Sequence, residues 1–361
     1  MKLADVRGHD RARAILARAL ERDRLPPALL FAGPDGVGKK LLALAVAQAA
    51  LCERAPLPEP CGGCRACKKV SAALAPERLE ELRNEADRHP DGDVWRNFRL
   101  HPDLVLAEGW WLTKAGRPRP EPEIRVGQVR DLIGEIAGAP FEARRRVFVV
   151  DDAHTMNDAA QNALLKSLEE PPPRSHVILV SAAPLGLLQT IRSRCQLVRF
   201  GPLTRSAVAA HLAEQGGLPE EEARKQAALA GGSLGAAATF EADSYARMRE
   251  SLVELLERAG SLDPMGRMEA AEALDDAEDA TLLLTTLRSL LRDLLALRAG
   301  AGTEALVHPD LAERLAPLAR GPLGERAGAL ADQAGEARVA LLGFANRLLT
   351  FDVLVDALAG A

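Results

Sequence analysis

Three groups of residues have types and spacing that could do chemistry. The first follows the apolar run ALLFA (28–32), where Gly33, four intervening residues including Gly36, then Gly38 and Lys39 keep the GxxxxGK spacing of a phosphate-binding loop. Glycines there let the backbone turn tightly enough for successive N–H groups to converge on a phosphate, and Lys39 supplies a point charge for its outer oxygens. In such loops the next residue is a Ser or Thr that ligates Mg²⁺, but here it is Lys40, a cation where the metal would bind. That weakens Mg²⁺-dependent hydrolysis and leaves binding of ATP or ADP open. The run RVFVVDDAH complements the loop: Asp151 ends an apolar strand pattern where a carboxylate can hold Mg²⁺. Asp152 then stands where a catalytic glutamate would activate water, one methylene shorter.

The second group is Cys52, Cys61, Cys64 and Cys67, four of the five cysteines of the chain, spaced CxxxxxxxxCxxCxxC with glycines in the tight intervals. Four thiolates so spaced can surround one tetrahedral Zn²⁺, and because protein fills every position the ion is structural rather than catalytic. The third is TIRSRC (190–195), whose Arg194, on bare chemistry, is an ordinary surface arginine. Arg144–Arg146 read as a solvated turn entering a strand, and His154 as a packing residue.

The elements that must position these residues follow from hydrophobic periodicity. A helical pattern over residues 8–25 is stopped by Pro26 and Pro27. ALLFA, a strand at 103–107, RRRVFVV and SHVILVSAA are short apolar runs of the kind buried in a parallel sheet, and they alternate with helical patterns such as NDAAQNALLKSLEE. That alternation predicts an α/β fold with helices on both faces of a parallel sheet. The stretch about 70–100 reads as a charged, irregular insertion and 109–121 as a second insertion, and nothing in them assigns Trp110 and Trp111 to core or surface. Beyond Pro202 the β-like runs cease, and alanine- and leucine-rich helical patterns continue to the end. The expected domains are therefore 1–201, α/β with the cysteine module at 52–67; 202–243, a small helical unit; and 244–361, a helical bundle.

With 361 residues, 47% of them hydrophobic, the chain can fill two or three cores. A net charge of −5 argues against gripping nucleic acid by an overall field, so DNA contact is expected only through a complex. No run of about 18 apolar residues predicts a membrane span, and the first residues lack the apolar core of a signal peptide, which reads as cytoplasmic. Clustered cysteines suit a metal site in a reducing compartment better than disulfides.

Taken in order, GPDGVGKK, the four-cysteine insertion, VDDAH, NALLKSLEEPP and SRC resemble the clamp-loader AAA+ subunits of bacterial DNA polymerase III, over nearly the whole chain outside the two insertions. The resemblance implies a RecA-like, P-loop AAA+ domain carrying a zinc module, a small helical lid, and a C-terminal helical collar that assembles five subunits into a ring. It implies as partners the gamma/tau and delta subunits, the beta sliding clamp, and primer-template DNA through the complex. Motor subunits of that family, gamma and tau, hydrolyse ATP. This sequence departs from them at Lys40 and Asp152, at Ala182 where they carry a polar sensor, and at Gly235 where they carry a lid arginine. It keeps the arginine of SRC. The pattern is similar to that of the delta prime type, which does not hydrolyse ATP and donates an arginine finger, here Arg194, to a neighbour's site; an active gamma-like ATPase is the alternative.

Overall fold

Alternate residues of the central strands point to opposite faces of the sheet, and both faces are buried. The computed structural model describes residues 2–87, 96–112, 118–238, 242–277, 279–342 and 345–360. It divides into two compact units, Met1–Pro202 and Leu203–Ala361. The first unit runs α1 (Asp10–Glu21), β1 (Ala28–Ala32), α2 (Lys39–Leu51), α3 (Arg65–Ala73), α4 (Pro76–Asp87), β2 (Asn97–His101), β3 (Leu104–Ala107), β4 (Trp110–Leu112), β5 (Pro118–Glu123), α5 (Val126–Ile136), β6 (Arg146–Val150), α6 (Asp158–Glu169), β7 (Ser175–Ser181), α7 (Gln189–Arg194) and β8 (Gln196–Arg199). Its main sheet has the order β2-β3-β6-β7-β1-β8. All neighbours are parallel except β2 against β3. Leu29, Phe31, Val147, Val149, Ile178 and Val180 face α1 and α2, while Leu30, Phe148, Val150, Val177 and Leu179 face α5, α6 and α7. A strand buried on both sides must read as a continuous apolar run, which is why these strands were legible.

One expectation is corrected here. The stretch near 70–100 is not irregular among its described residues: α3 and α4 are helices and β2 is a strand. Its charge density hid a helical face, since Leu79, Leu82 and Ala86 recur at helical spacing and pack on the core. In the second insertion, β4 and β5 pair as an antiparallel ribbon. Trp110 is fully buried there, with the Arg96 and Arg125 guanidinium carbons 5.8 and 5.6 Å from its ring centroid. The side chain of Trp111 lies outside the described residues. One further strand, β8, was not anticipated, because an edge strand with only Val198 buried carries little apolar signal.

The second unit is helical: α8 (Arg205–Gly216), α9 (Glu220–Leu229), α10 (Leu234–Ala238), α11 (Ala242–Arg258), α12 (Pro264–Asp275), α13 (Ala280–Arg298), α14 (Ala312–Arg320), α15 (Pro322–Leu342) and α16 (Arg347–Ala359). It holds two hydrophobic clusters. Val208, Leu212, Ala223 and Ala227 close one among α8, α9 and α10. Leu284, Leu287, Leu291, Leu315, Leu330 and Phe351 centre the other, with α13 at its middle. No helix among the described residues is long and apolar enough to cross a membrane.

Candidate functional site

The glycine loop joins the carboxyl end of β1 to the N-terminus of α2, and its conformation depends on the absence of side chains. Gly36 and Gly38 have φ of 67° and 101°, in the left-handed region that favours glycine. A Cβ on Gly33 would lie 2.2 Å from the Phe200 carbonyl oxygen at the end of β8. Lys39, only 4% exposed, turns back on its own loop: Nζ donates to the Pro34 carbonyl at 2.6 Å and lies 3.4 Å from Asp35 Oδ1. The N-terminal segment braces the loop, with His9 Nε2 2.9 Å from the Val37 carbonyl and the His9 ring edge-on to Phe200.

Lys40 occupies the centre of the site. Its Nζ lies 2.8 Å from Asp151 Oδ2 and donates to Glu108 Oε1. Glu108 in turn accepts both donors of the Arg83 fork, Nε at 2.9 Å and Nη2 at 2.8 Å. Asp151 follows β6 and Glu108 follows β3, adjacent parallel strands whose carboxyl ends present the two acids side by side. Burial alone would lower the Lys40 pKa, but Asp151 and Glu108 outweigh it and hold the ammonium charged. At Glu108, burial opposes ionisation, yet Arg83 and Lys40 pull the carboxyl down to about 2. Asp152, in the left-handed conformation at φ 46°, is pushed up to about 7 by burial and by the Asp151 and Asp35 charges. His154 is buried and its pKa is lowered by burial, in keeping with a packing residue.

Sequence reading missed Glu108 and Arg83. The signal for Glu108 was present: a carboxylate directly after an apolar strand, as at Asp151. Arg83 had none. Because the folded pKa of Glu108 is depressed from 4.5 to about 2, its contribution is present above pH 4.5 and lost as pH falls through that window. The difference corresponds to about 3 kcal/mol. Glu108→Gln is therefore expected to lower stability at pH 7 by a similar amount and to flatten the acid limb of the stability profile, as measured by urea unfolding between pH 2 and 7.

The four cysteines converge. Their sulfurs all lie within 4.8 Å of one another, with Cys52–Cys64 and Cys61–Cys67 each at 4.0 Å. Tetrahedral Zn–S bonds of about 2.3 Å place sulfurs roughly 3.8 Å apart, so the set has the dimensions of a metal site. Cys52 caps the C-terminus of α2 and Cys64 the N-terminus of α3. The Cys64 and Cys67 backbone N–H groups donate to Cys61 and Cys64 Sγ, both at 3.4 Å. Backbone donors from Cys64 and Gly63 draw the Cys61 thiol down to about 6, whereas burial raises Cys67.

Arg194 ends α7, about a third exposed. Its guanidinium lies 2.6 Å from Glu169 Oε1 and donates to the Thr190 carbonyl at 2.8 Å. Ala182 directly follows β7, and Gly235 lies in α10 of the second unit. The arginines at 144–146 are not simply solvated: Arg144 donates to the Ala55 carbonyl at 2.6 Å, Arg145 pairs with Asp23, and Arg146 is buried over the Phe148 ring.

The sheet order, with β1 between β7 and β8, is the arrangement expected of an AAA+ nucleotide-binding fold. A family model described as DNA polymerase III, delta subunit, matches residues 8–204. The chain is 29% identical over 305 residues to DNA polymerase III subunit delta' of Bacillus subtilis, covering 83% of this chain and 81% of that protein. It is 34% identical over 230 residues to subunit delta' of Pseudomonas aeruginosa, covering 63% and 59% respectively. The chain belongs to the delta prime family of DNA polymerase III. Delta prime and motor subunits share ancestry in this region: Bacillus subtilis subunit tau is 30% identical over 207 residues, 57% of this chain and 30% of tau. The relatives are named as subunits of DNA polymerase III, and what this chain does rests on the residues described above.

Proposed function

We propose that this chain is the non-hydrolysing delta prime subunit of a clamp loader, a stator that helps place the beta sliding clamp on primer-template DNA and lends Arg194 to the ATP site of a neighbouring gamma/tau subunit. The observation that carries this reading is the Lys40–Asp151 ion pair at 2.8 Å, with Glu108 on the same ammonium. A fixed cation there competes with Mg²⁺ for the acid that would hold it. Asp152, Ala182 and Gly235 support the same conclusion: Asp152 carries its carboxyl one methylene short of the glutamate a motor subunit uses to activate water, and Ala182 and Gly235 lack the polar groups with which it senses the γ-phosphate. Four departures on one reaction favour this over an active gamma/tau-like ATPase.

In this reading α8–α10 form the lid and the helices from about 244 onward form the collar that joins gamma/tau and delta. Cys52, Cys61, Cys64 and Cys67 hold a structural Zn²⁺. Gly33, Gly36, Gly38, Lys39 and Asp151 remain as a degenerate nucleotide site, and the work is done in the cytoplasm. The test is ATP turnover by the purified chain alone, with Lys39→Ala as background. Turnover equal to that background is expected; turnover clearly above it would make the chain a motor subunit.

A further inference from the structure

The helical arm after the cysteine cluster has no part in the function described so far, yet it ends in the nucleotide-type site. Cys64 caps α3, a short turn leads to α4, and α4 places Arg83 in a two-pronged hydrogen bond with Glu108. The arm is held at several points. Buried Gln48 of α2 donates to the Cys67 carbonyl at 2.9 Å and to Ser71 Oγ at 2.8 Å, and Ala86 of α4 is wholly buried in the sheet core. Lys40, the other cation on Glu108, begins the helix whose far end is capped by Cys52. Both cations are thus borne on helices tied to the one cysteine cluster.

Their charges balance: Lys40 and Arg83 against Glu108 and Asp151. Glu108 is 10% and Asp151 15% exposed at the side chain, and a bare pair of acids at adjacent strand ends is an arrangement that a divalent cation would bridge. A cavity of about 410 Å³ lies beside them, lined by Lys40, Arg83, Arg96, Glu108, Asp151 and Asp152 among others.

We propose that Arg83 and Glu108 are positioning residues that lock Lys40 onto Asp151, so that the arm anchored by the cysteine cluster excludes a magnesium nucleoside polyphosphate from this subunit's own loop. The proposal rests on reading residues 33–39 as a nucleotide-type loop. Glu108 is the hinge of the lock: it accepts from Lys40 on one side and from the guanidinium fork of Arg83 on the other, so the fork fixes the carboxylate that holds Lys40 beside Asp151.

The experiment is a titration of the full chain with fluorescent ADP, with and without Mg²⁺. The native chain is compared with Arg83→Ala/Glu108→Gln, which leaves Lys40 and Asp151 in place, and with that double variant carrying Lys39→Ala as well. The native chain is expected to show no Mg²⁺-dependent binding below about 1 mM, the double variant an apparent Kd of about 10 µM with Mg²⁺, and the triple variant none. If that double variant does not fold, Arg83→Ala alone is expected to show Mg²⁺-dependent binding that the native chain lacks. Arg83→Lys should give a smaller gain than Arg83→Ala, because a point charge keeps part of the contact but not the fork. A folded double variant that binds no nucleotide overturns the lock, as does a native chain that binds as tightly as the double variant. Binding by the native chain would still leave the stator reading intact; only its turnover of ATP would overturn that.

Discussion

Replacing Arg194 by alanine is expected to leave the clamp loader assembled and to cut its DNA- and clamp-stimulated ATP turnover at the adjoining site by ~10³-fold or more, the range in which trans-acting arginine fingers operate. The structure makes the proposed finger available at little cost. Arg194 ends a short helix and is about a third exposed, and its partner Glu169 is still more so. An exposed ion pair of this kind contributes only about 0–1 kcal/mol, so a phosphoryl group in a neighbour's site can readily win the guanidinium from Glu169. Its contact with the Thr190 carbonyl keeps the side chain near the helix end while it is unengaged. Arg194→Lys should restore little, because an ammonium keeps the charge but not the planar fork. The measurement is steady-state ATP hydrolysis by the reconstituted complex, with assembly checked by size-exclusion chromatography; unchanged turnover in an intact complex would remove Arg194 from the mechanism.

Removal of the metal should have the second large effect. The turns of the segment between α2 and α3 are set by sulfurs that accept backbone N–H groups. Without a cation, thiolates drawn within 4.8 Å of one another repel, and protonated thiols lose the bonds that close the loops. Chelation or Cys64→Ser is expected to lower the midpoint of thermal unfolding by about 10 °C or more and to speed amide exchange first in α3, with elemental analysis of the untreated chain giving close to one zinc per molecule. A metal-free chain that melts at the same temperature would refute the site.

Much of this protein was legible because its signals are local. Strands buried on both faces had to be apolar throughout, as β1, β6 and β7 are. The glycine loop needed its left-handed turns at Gly36 and Gly38, and the cysteine spacing lets four sulfurs meet around one point with only short loops between them. The resemblance to clamp-loader subunits rests on motifs of the same local kind. At Lys40 the sequence went further, showing that a cation replaces the metal's hydroxyl ligand.

What that cation does was decided by tertiary structure. Lys40 meets Glu108 and Asp151 because β3 and β6 are neighbours in the sheet, a pairing that no local pattern encodes. Arg83 reaches Glu108 only because α4 packs its Leu79, Leu82 and Ala86 face on the core, turning an apparently irregular charged stretch into a positioned arm. The same holds for the pairing of Arg194 with Glu169 and for edge strand β8, whose place is set by hydrogen bonds to β1 rather than by its own hydrophobicity. Periodicity and turn chemistry act over a few residues and can be read one segment at a time. An ion network among residues 40, 83, 108 and 151 depends on the order in which strands and helices assemble, and that order is a property of the folded chain.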